Sequence, residues 1–377
     1  MIYLDNAATT FPKPDLVYDE MDRVNRTLAV NAGRGSYKSA QKVSRLLDDT
    51  KNMLLKLFHA EGSADICFGP SITFALNQVL GGVNLDESSV VYMTPYEHNA
   101  VARTIHLLQK TKGFSIEFIP LTKDLRIDLE KTAYLFTQKC PNLVIVNKVS
   151  NVTGYVLPAG PIFKLAKKYD AITVMDAAQA AGLCDINMGE SDADIICFAG
   201  HKTLYGPFGV GGFAIKHGVS LDLVYAGGTG SNSLELDMPA RAPDRYEASS
   251  PNIVAIAGLN ASLRVLDQSA HLNYALEMTN YLLRKLNCID RVQVLGVYEP
   301  GDTVGIVSFV VDGYLSSDVG SILDDEYDIS VRTGYHCAPY IHEYLNDKEY
   351  GGTVRVGIGL YTTKTDIDRL IEALETL

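Results

Sequence analysis

The sequence predicts an α/β protein with a large, mostly parallel sheet and a smaller α+β C-terminal domain. Short apolar runs rich in Val and Ile alternate with longer helix-like segments, which is typical of a parallel sheet covered on both faces. The chain has 377 residues, of which 47% are hydrophobic, and one simple core rarely holds so many. We therefore expect a large domain over 16–255 and a small domain formed by 1–15 and 256–377.

The predicted elements follow in chain order. Strands of the large domain are expected near 64–68, 89–94, 143–148, 171–176, 194–199 and 209–215. The stretch 226–252 is rich in Gly, Pro and Ser and is longer than an ordinary connection, which indicates a functional or mobile segment. A helical segment over about 253–268 then leads into the C-terminal portion, which ends in a helix over 364–376.

Composition and charge exclude several classes of function. The net charge of −12, without a run of Lys and Arg, argues against nucleic acid or an anionic membrane as a partner. No apolar run reaches the roughly 20 residues of a membrane helix, and the N-terminus does not resemble a secretion signal. The six cysteines show no paired spacing, so neither a metal site nor a disulfide framework is indicated. We expect a cytoplasmic protein.

Polar residues directly follow five of the predicted strands. They are Gly69–Thr73, Glu97–Asn99, Ser150–Asn151, Asp176 with Gln179, and His201–Lys202. Ligands in open α/β sheets bind beyond the carboxyl ends of the strands, so we expect these loops to converge on one crevice.

Asp176 and Lys202 indicate what that crevice binds. A lysine that forms a Schiff base and an aspartate that keeps a pyridine nitrogen protonated are what pyridoxal 5'-phosphate (PLP) chemistry requires. The turn at Gly69–Thr73 leads into a helix whose free amides suit a phosphate. Taken singly, Asp176 could instead cap a following helix over 177–181, and Lys202 could be a solvated loop residue. Together, the two residues favour a PLP site.

Motifs along nearly the whole chain resemble those of the cysteine desulfurases, which belong to the class V aminotransferase group of PLP enzymes. These motifs are Tyr3-Leu4-Asp5-Asn6-Ala7-Ala8, Glu97-His98, Ser150-Asn151-Val152-Thr153-Gly154, Asp176-Ala177-Ala178-Gln179, Gly200-His201-Lys202 and Arg332-Thr333-Gly334-Tyr335-His336-Cys337. The resemblance implies PLP fold type I, with a mostly parallel seven-stranded sheet in the large domain, and a homodimer.

The resemblance also implies roles for individual residues. For the cofactor these are Lys202 as the attachment point, Asp176 on the pyridine nitrogen, Gln179 on the ring oxygen, His98 stacked over the ring, Ile72, Thr73 and His201 at the phosphate turn, and Ser250 from the second subunit. For the amino-acid substrate they are Arg355 on the α-carboxylate, with Asn151 and Asn6 beside it. Taken alone, a histidine such as His98 is more often an ordinary surface or satisfied side chain than a cofactor contact.

Cys337 matches the nucleophile of the SUF-type (group II) branch, whose pattern resembles Arg-x-Gly-x-His-Cys. The resemblance implies that a Cys337 thiolate attacks the γ-sulfur of L-cysteine, which leaves alanine and an enzyme persulfide. An acceptor protein would then take the sulfur for iron–sulfur cluster assembly or related chemistry. The other five cysteines lie within or beside apolar runs, where we expect small buried side chains.

Several positions depart from the family pattern. Ala199 stands for a phosphate-binding serine, Tyr37 and Tyr335 stand for histidines, and Ile72 stands for a threonine. The segment 338–353 is slightly longer than its SUF-type counterpart, which indicates a different acceptor-facing surface. Three alternatives remain at this point: a lyase of the same family for selenocysteine, cystine or a cysteine conjugate, an ordinary transaminase, and a cofactor-binding scaffold or regulator.

Overall fold

The computed structural model describes residues 1–32, 37–230, 234–298 and 301–377. The strands within these ranges are β1 (Ile2–Tyr3), β2 (Ala64–Gly69), β3 (Val90–Met93), β4 (Ser115–Phe118), β5 (Leu143–Asn147), β6 (Ile172–Asp176), β7 (Ile195–Ala199), β8 (Gly211–Lys216), β9 (Val292–Val294), β10 (Ile306–Val311), β11 (Ile329–Ser330), β12 (Arg332–Gly334) and β13 (Thr353–Gly357). The α-helices are α1 (Asp15–Thr27), α2 (Lys38–Leu57), α3 (Ile72–Gly82), α4 (Asn99–Lys112), α5 (Leu129–Gln138), α6 (Ala159–Ala166), α7 (Ile253–Val265), α8 (Gln268–Leu286), α9 (Ser316–Tyr327), α10 (His342–Leu345) and α11 (Lys364–Glu375).

A seven-stranded sheet forms the centre of the chain, with the strand order β2-β8-β7-β6-β5-β3-β4. Strand β8 is antiparallel to both of its neighbours, and the remaining pairs are parallel. Every residue of β5 and β7 is buried, which explains why these strands appear in the sequence as unbroken apolar runs. The predicted α/β fold with a mostly parallel seven-stranded sheet is thereby confirmed.

The six predicted strands all occur in this sheet, and the seventh strand, β4, was not predicted. Its sequence is Ser-Ile-Glu-Phe, its first residue is exposed and the other three are half-buried. It pairs only with β3 at the edge of the sheet. An edge strand needs no continuous apolar run, so its sequence carries a weak signal.

Two helices begin where strands of this sheet end. Ser71 caps α3, its side chain accepting a hydrogen bond from Phe74 N, and His98 caps α4 in the same way through Ala100 N. The first two N–H groups of α3, those of Ile72 and Thr73, remain available at the carboxyl edge of the sheet, whereas Asn99 N of α4 donates to the Cys337 carbonyl. The helix considered for 177–181 is wrong, because residues 178–183 form only turns, and Gly182 has a φ of +81°.

A second, four-stranded sheet has the order β12-β13-β10-β9 and is antiparallel throughout. Helices α8 and α9 pack against it, and α11 packs against these two helices. The N-terminus reaches the same region, because β1 pairs with β11 and Asp5 forms a bridge with Gly357. The domain limits given above stay a prediction.

The described part of the stretch 226–252, which lacks residues 231–233, contains neither helix nor strand. Of the segment 34–37, only Tyr37 lies within the described ranges. Among the helices of the described residues, none combines the length and the apolar character needed to cross a membrane.

Candidate active site

A cavity of about 200 Å³ lies at the carboxyl ends of the parallel strands. All five loops that were expected to converge contribute to its wall, together with residues of β12 and β13. Its polar lining consists of Ser71, Thr73, His98, Asn147, Asn151, Asp176, Gln179, His201, Lys202, Arg332, His336 and Arg355. Ligand sites in α/β folds characteristically lie in this place.

Lys202 and Asp176 face this cavity from neighbouring strands. Asp176 is the last residue of β6, and Lys202 follows β7 after a tight turn at Gly200. A Cβ atom at Gly200 would lie 2.7 Å from the Val210 carbonyl oxygen, so only glycine lets the turn close. Burial lowers the pKa of Lys202 to about 8, although the Asp176 carboxylate opposes the shift. A lysine of this kind supplies a free amine near neutral pH, as attack on a carbonyl requires.

Asp176 is buried, and desolvation raises its pKa from the usual value. The Ala178 N–H donates to its Oδ1 at 2.8 Å, and this bond, together with the charge of Lys202, lowers the pKa and so limits the increase. A buried carboxylate gains most from a cationic partner, because charge–charge attraction is strong where water is excluded. Gln179 lies on the same turn and donates from Nε2 to the Ala7 carbonyl at 2.7 Å.

The hydrogen bonds of His98 define its protonation. Its Nδ1 accepts a hydrogen bond from Ala100 N at 3.0 Å, so the proton of the neutral ring must lie on Nε2. Burial, with smaller effects from the charges of Lys202 and Arg332, lowers the pKa of His98 to about 3. His98 is therefore a neutral side chain in the cavity wall.

Glu97 was quoted in the sequence motif, but no role was predicted for it. Its Oε1 accepts hydrogen bonds from the Thr94 hydroxyl at 2.8 Å and from Asn147 N at 2.9 Å. Burial and, to a smaller extent, the charge of Asp176 raise the pKa of Glu97 to about 8. The sequence contained only an acidic residue beside a histidine, which is a weak signal.

One end of the cavity has the donors that an anion requires. Thr73 and the free backbone N–H groups in the first turn of α3 lie there, and the side chain of Ile72 packs into the core. His201 adds a buried Nδ1 that has no hydrogen-bond partner among the described residues. Burial lowers the pKa of His201 to about 4, so the ring is neutral and stacks on Phe208 at 4.6 Å.

Taken together, the residues present fit PLP. The unpartnered His201 nitrogen and the helix amides suit its phosphate, the buried Asp176 suits its pyridine nitrogen, and the Lys202 amine suits its aldehyde. Ala199 is a buried residue of β7 and adds no hydroxyl to this set.

Arg355 lies on β13 and is only 1% exposed. Its Nη2 donates to Asp5 Oδ1 at 2.6 Å and its Nη1 donates to the Asn151 carbonyl at 2.9 Å. Its Nε has no partner among the described residues, and neither does Asn151 Oδ1. The partnership with Asp5 was not predicted. It fixes one edge of the guanidinium while the Nε donor remains available.

Three of the predicted site residues do not line the cavity: Asn6, Ser250 and Cys337. Asn6 donates to the Gly357 carbonyl at 3.0 Å and accepts from Phe11 N at 3.2 Å, so its amide ties the N-terminal segment to β13. Ser250 is exposed and lies away from the cavity of its own chain. Their predicted contacts with substrate and cofactor stay predictions.

Cys337 lies next to the cavity wall. Its Sγ accepts a hydrogen bond at 3.3 Å from Nη2 of Arg332, a residue that lines the cavity. Its carbonyl accepts a hydrogen bond from Asn99 N at 2.6 Å, in the first turn of α4. His336 and Cys337 have φ values of +45° and +59°, so two successive non-glycine residues adopt the left-handed conformation.

The remaining cysteines fall into two groups, which corrects one prediction. Cys67, Cys184 and Cys197 are buried as expected, and burial raises the pKa of each thiol. Cys140 and Cys288 are exposed instead. Cys140 follows the end of α5 and Cys288 follows the end of α8. At both places the chain leaves the core.

Comparisons with known proteins confirm the resemblance to cysteine desulfurases. The chain is 29% identical over 385 residues to a probable cysteine desulfurase of Halalkalibacterium halodurans, covering 100% of this chain and 92% of that protein. A cysteine desulfurase of Shigella sonnei is also 29% identical, with 100% and 93% covered. The apo structure of a cysteine desulfurase from Thermococcus onnurineus superimposes with a TM-score of 0.91 at 28% identity, covering 100% of this chain and 94% of that one. The family model of class-V aminotransferases matches residues 2–370, and the chain therefore belongs to that family.

Proposed function

We propose that this protein is a PLP-dependent cysteine desulfurase that forms L-alanine from L-cysteine and holds the sulfur as a persulfide on Cys337. One observation carries the proposal: Lys202 and Asp176 face a cavity whose wall includes Arg332, the residue that donates to Cys337 Sγ. The cysteine desulfurases among its relatives, similar over the full length of the chain, support the same reaction.

Several side chains would hold the cofactor. Lys202 would attach it, Asp176 and Gln179 would bind its ring, and His98 would lie over the ring. Thr73, the amide of Ile72 and His201 would hold the phosphate. PLP, when bound, withdraws electrons from the α-carbon of the substrate and so labilises the bonds around that carbon.

The substrate would be oriented by charge. Arg355 would bind the α-carboxylate through charge-assisted hydrogen bonds, with Asp5 restraining its rotation and Asn151 adding a polar contact. His98, neutral and protonated on Nε2, can donate a hydrogen bond in the cavity without introducing a charge.

The sulfur step needs no external oxidant or reductant. The deprotonated Sγ of Cys337 attacks the substrate's sulfur and forms an S–S bond, while the substrate's C–S bond breaks. The electron pair stays on the β-carbon, which takes up a proton and becomes the methyl group of alanine. In sum, a thiol and cysteine become a persulfide and alanine. Arg332 would hold the attacking sulfur at the cavity wall.

The test compares the wild type with Cys337→Ala and with the control Cys140→Ala, which removes an exposed cysteine elsewhere. Alanine is measured by amino-acid analysis, and the persulfide is located by mass spectrometry of peptides. We expect Cys337→Ala to lose alanine formation from cysteine, and the control to retain it. Undiminished desulfuration by Cys337→Ala refutes the persulfide role, and selective turnover of selenocysteine would identify a lyase instead.

We further propose that the enzyme is a homodimer that passes sulfur to an acceptor protein for iron–sulfur cluster assembly or related thiol chemistry. Tyr335, two residues before Cys337, is 48% exposed, which supports access by a partner from this side. All six cysteines are free thiols, and free thiols persist in a reducing cytoplasm.

A further inference from the structure

We propose that a buried hydrogen-bonded pair, His342 and Asp347, positions the Cys337 loop, residues 335–338, for reaction. The inference rests on the role proposed above for Cys337. It gives a function to the segment 338–353, which the sequence distinguished only by its length. His342 begins α10, and Asp347 follows that helix by two residues.

The hydrogen bonds of His342 fix the position of its ring. Its Nδ1 lies 2.5 Å from Asp347 Oδ2, and its Nε2 lies 2.9 Å from the Tyr335 carbonyl oxygen. Both ring nitrogens are therefore engaged, and the ring bridges Asp347 and the backbone of Tyr335. The two side chains are 2% and 0% exposed, so this contact lies inside the protein.

The loop that receives this hydrogen bond has an unfavourable backbone. His336 and Cys337 are both left-handed, a conformation that persists in non-glycine residues only when the surroundings hold it. Three successive carbonyls of the loop each accept a hydrogen bond from outside it. Tyr335 accepts from His342, His336 accepts from Asn151 Nδ2 at 2.7 Å, and Cys337 accepts from Asn99 N at 2.6 Å.

Two of these three donors belong to loops at the ends of parallel strands, so the large sheet fixes their positions. The third, His342, depends on Asp347 for its orientation. Asp347 is fixed in turn, because its carbonyl accepts from Tyr350 N and Gly352 N, both at 3.1 Å. Gly352 also packs directly on the backbone of Gly334. A Cβ atom added to Gly352 would lie 2.4 Å from the Gly334 carbonyl carbon.

The Asp347 side chain depends on His342 for its hydrogen bonding. Its Oδ1 is buried and has no partner among the described residues, and its Oδ2 contacts His342 Nδ1. Removing one member of the pair leaves a buried polar group without its partner, and the structure around it must rearrange. The rearrangement would start at the Tyr335 carbonyl and reach the thiol two residues later.

The experiment uses the PLP-loaded enzyme and the variants Asp347→Asn and His342→Gln. The matched control is His59→Gln, which breaks an exposed His59–Asp185 pair of 3.0 Å. Iodoacetamide alkylation is followed at each cysteine by mass spectrometry, and exposed Cys140 serves as an internal standard in the same molecules. Steady-state kinetics with L-cysteine and the visible absorbance of the bound cofactor are measured in parallel.

We expect alkylation of Cys337 to accelerate several-fold in both variants, while Cys140 reacts as in the wild type. The kcat should fall about 10- to 100-fold, the size expected for a reacting group displaced by about an ångström. The KM and the cofactor absorbance should not change, because Arg355 and Lys202 keep their partners. A general loss of structure would instead alter the absorbance and the reactivity of Cys140 together.

Wild-type alkylation of Cys337 and wild-type kcat in Asp347→Asn would overturn the proposal. This variant changes one atom and decides the question if His342→Gln does not fold. If the wild type forms no alanine from cysteine, the proposed reaction fails. Faster alkylation of Cys337 in the variants would still establish that the pair positions the loop.

Discussion

At the scale of single residues, burial sets the protonation states on which the proposed chemistry depends. Desolvation is the largest cause that lowers the pKa of His98, His201 and Lys202, to about 3, 4 and 8. The two histidines are therefore neutral at physiological pH, whereas the pKa of Lys202 lies close to physiological pH. A neutral His201 binds an anion through hydrogen bonds, not through charge.

The first prediction concerns the pH at which Lys202 reacts. Its deprotonated amine is the nucleophile, and its pKa is lowered from 10.5 to about 8. The rate at which apoprotein binds PLP covalently should therefore rise with pH and level off above about 8, where an unshifted lysine would still be protonated. Stopped-flow absorbance across this range measures the rate.

Two variants accompany the pH measurement. Lys202→Ala should develop none of the visible absorbance of lysine-bound cofactor. Lys148→Met removes another largely buried lysine, which does not line the cavity, and should behave as the wild type. Normal absorbance in Lys202→Ala would exclude Lys202 as the attachment point.

The second prediction concerns Arg355 and its unexpected partner. Arg355→Ala should lower kcat/KM for cysteine about 10- to 100-fold, mainly through KM, because charge-assisted hydrogen bonds are worth about 1.5–3 kcal/mol. Asp5→Asn should have a smaller effect of the same kind, since the guanidinium keeps its charge and loses a restraint.

Steady-state kinetics over a range of cysteine concentrations measure both effects. Arg126→Ala serves as the control, because Arg126 pairs with Asp302 outside the cavity. An unchanged KM in Arg355→Ala would show that another group binds the carboxylate.

Residue types and motifs led to Lys202 and Asp176, because a lysine and an aspartate at the ends of neighbouring buried strands seldom occur together without a chemical role. Partnerships across the chain were not accessible in this way. Asp5 lies 350 positions from Arg355, and Ala7, whose carbonyl accepts from Gln179, lies 172 positions from it. The sequence contains these residues in motifs, but their contacts depend on how the two sheets pack.

At the scale of secondary structure, strand ends and helix starts build the site. The buried strands were predictable because both of their faces lie against other elements, so their residues are apolar without interruption. The edge strand β4 and the turn after Asp176 lack that constraint. A carboxylate that accepts from the N–H two residues later can begin either a turn or a helix, and here it begins a turn.

The third prediction tests an element that lies away from the cavity. Thr363 and Asp366 form a capping box at the start of α11, with Asp366 N donating to Thr363 Oγ1 and Thr363 N donating to Asp366 Oδ2. Thr363→Ala should lower the free energy of unfolding by about 1 kcal/mol and leave kcat and KM unchanged. Urea denaturation measures the loss.

Thr365→Ala is the matched control, because Thr365 is exposed in the first turn of the same helix. Equal destabilisation by the two substitutions would mean that the cap contributes nothing specific. A reduced kcat in Thr363→Ala would instead couple α11 to the cavity.

At the scale of the whole molecule, the cavity draws its residues from both sheets. Lys202 and Asp176 follow strands of the seven-stranded sheet, and Arg332 and Arg355 lie on the four-stranded one. One side of this arrangement remains open in the single chain. Phe208, which stacks on the ring of His201, is 63% exposed, and an exposed aromatic ring beside a site supports cover by a second subunit.

The last prediction tests whether Ser250 acts across a dimer. Chains with Lys202→Ala and chains with Ser250→Ala are co-expressed with different tags, and the mixed dimers are purified. If Ser250 serves the partner's cavity, each mixed dimer has one cavity with both residues intact, and its activity should be about half that of the wild type. If Ser250 serves its own chain, no cavity is intact and the mixed dimers have at most half the activity of the Ser250→Ala parent, which is measured alongside.

Mixed dimers of Lys202→Ala with Asp176→Asn provide the control. Both residues face the same cavity of one chain, so the chain that keeps Lys202 carries the altered Asp176 and no wild-type cavity forms. Substitution of such a preorganised partner costs about 100-fold or more in rate, which makes rescue easy to recognise. Rescue with Ser250→Ala and none with Asp176→Asn would assign Ser250 to the opposite subunit, and rescue in neither pair would contradict the shared site.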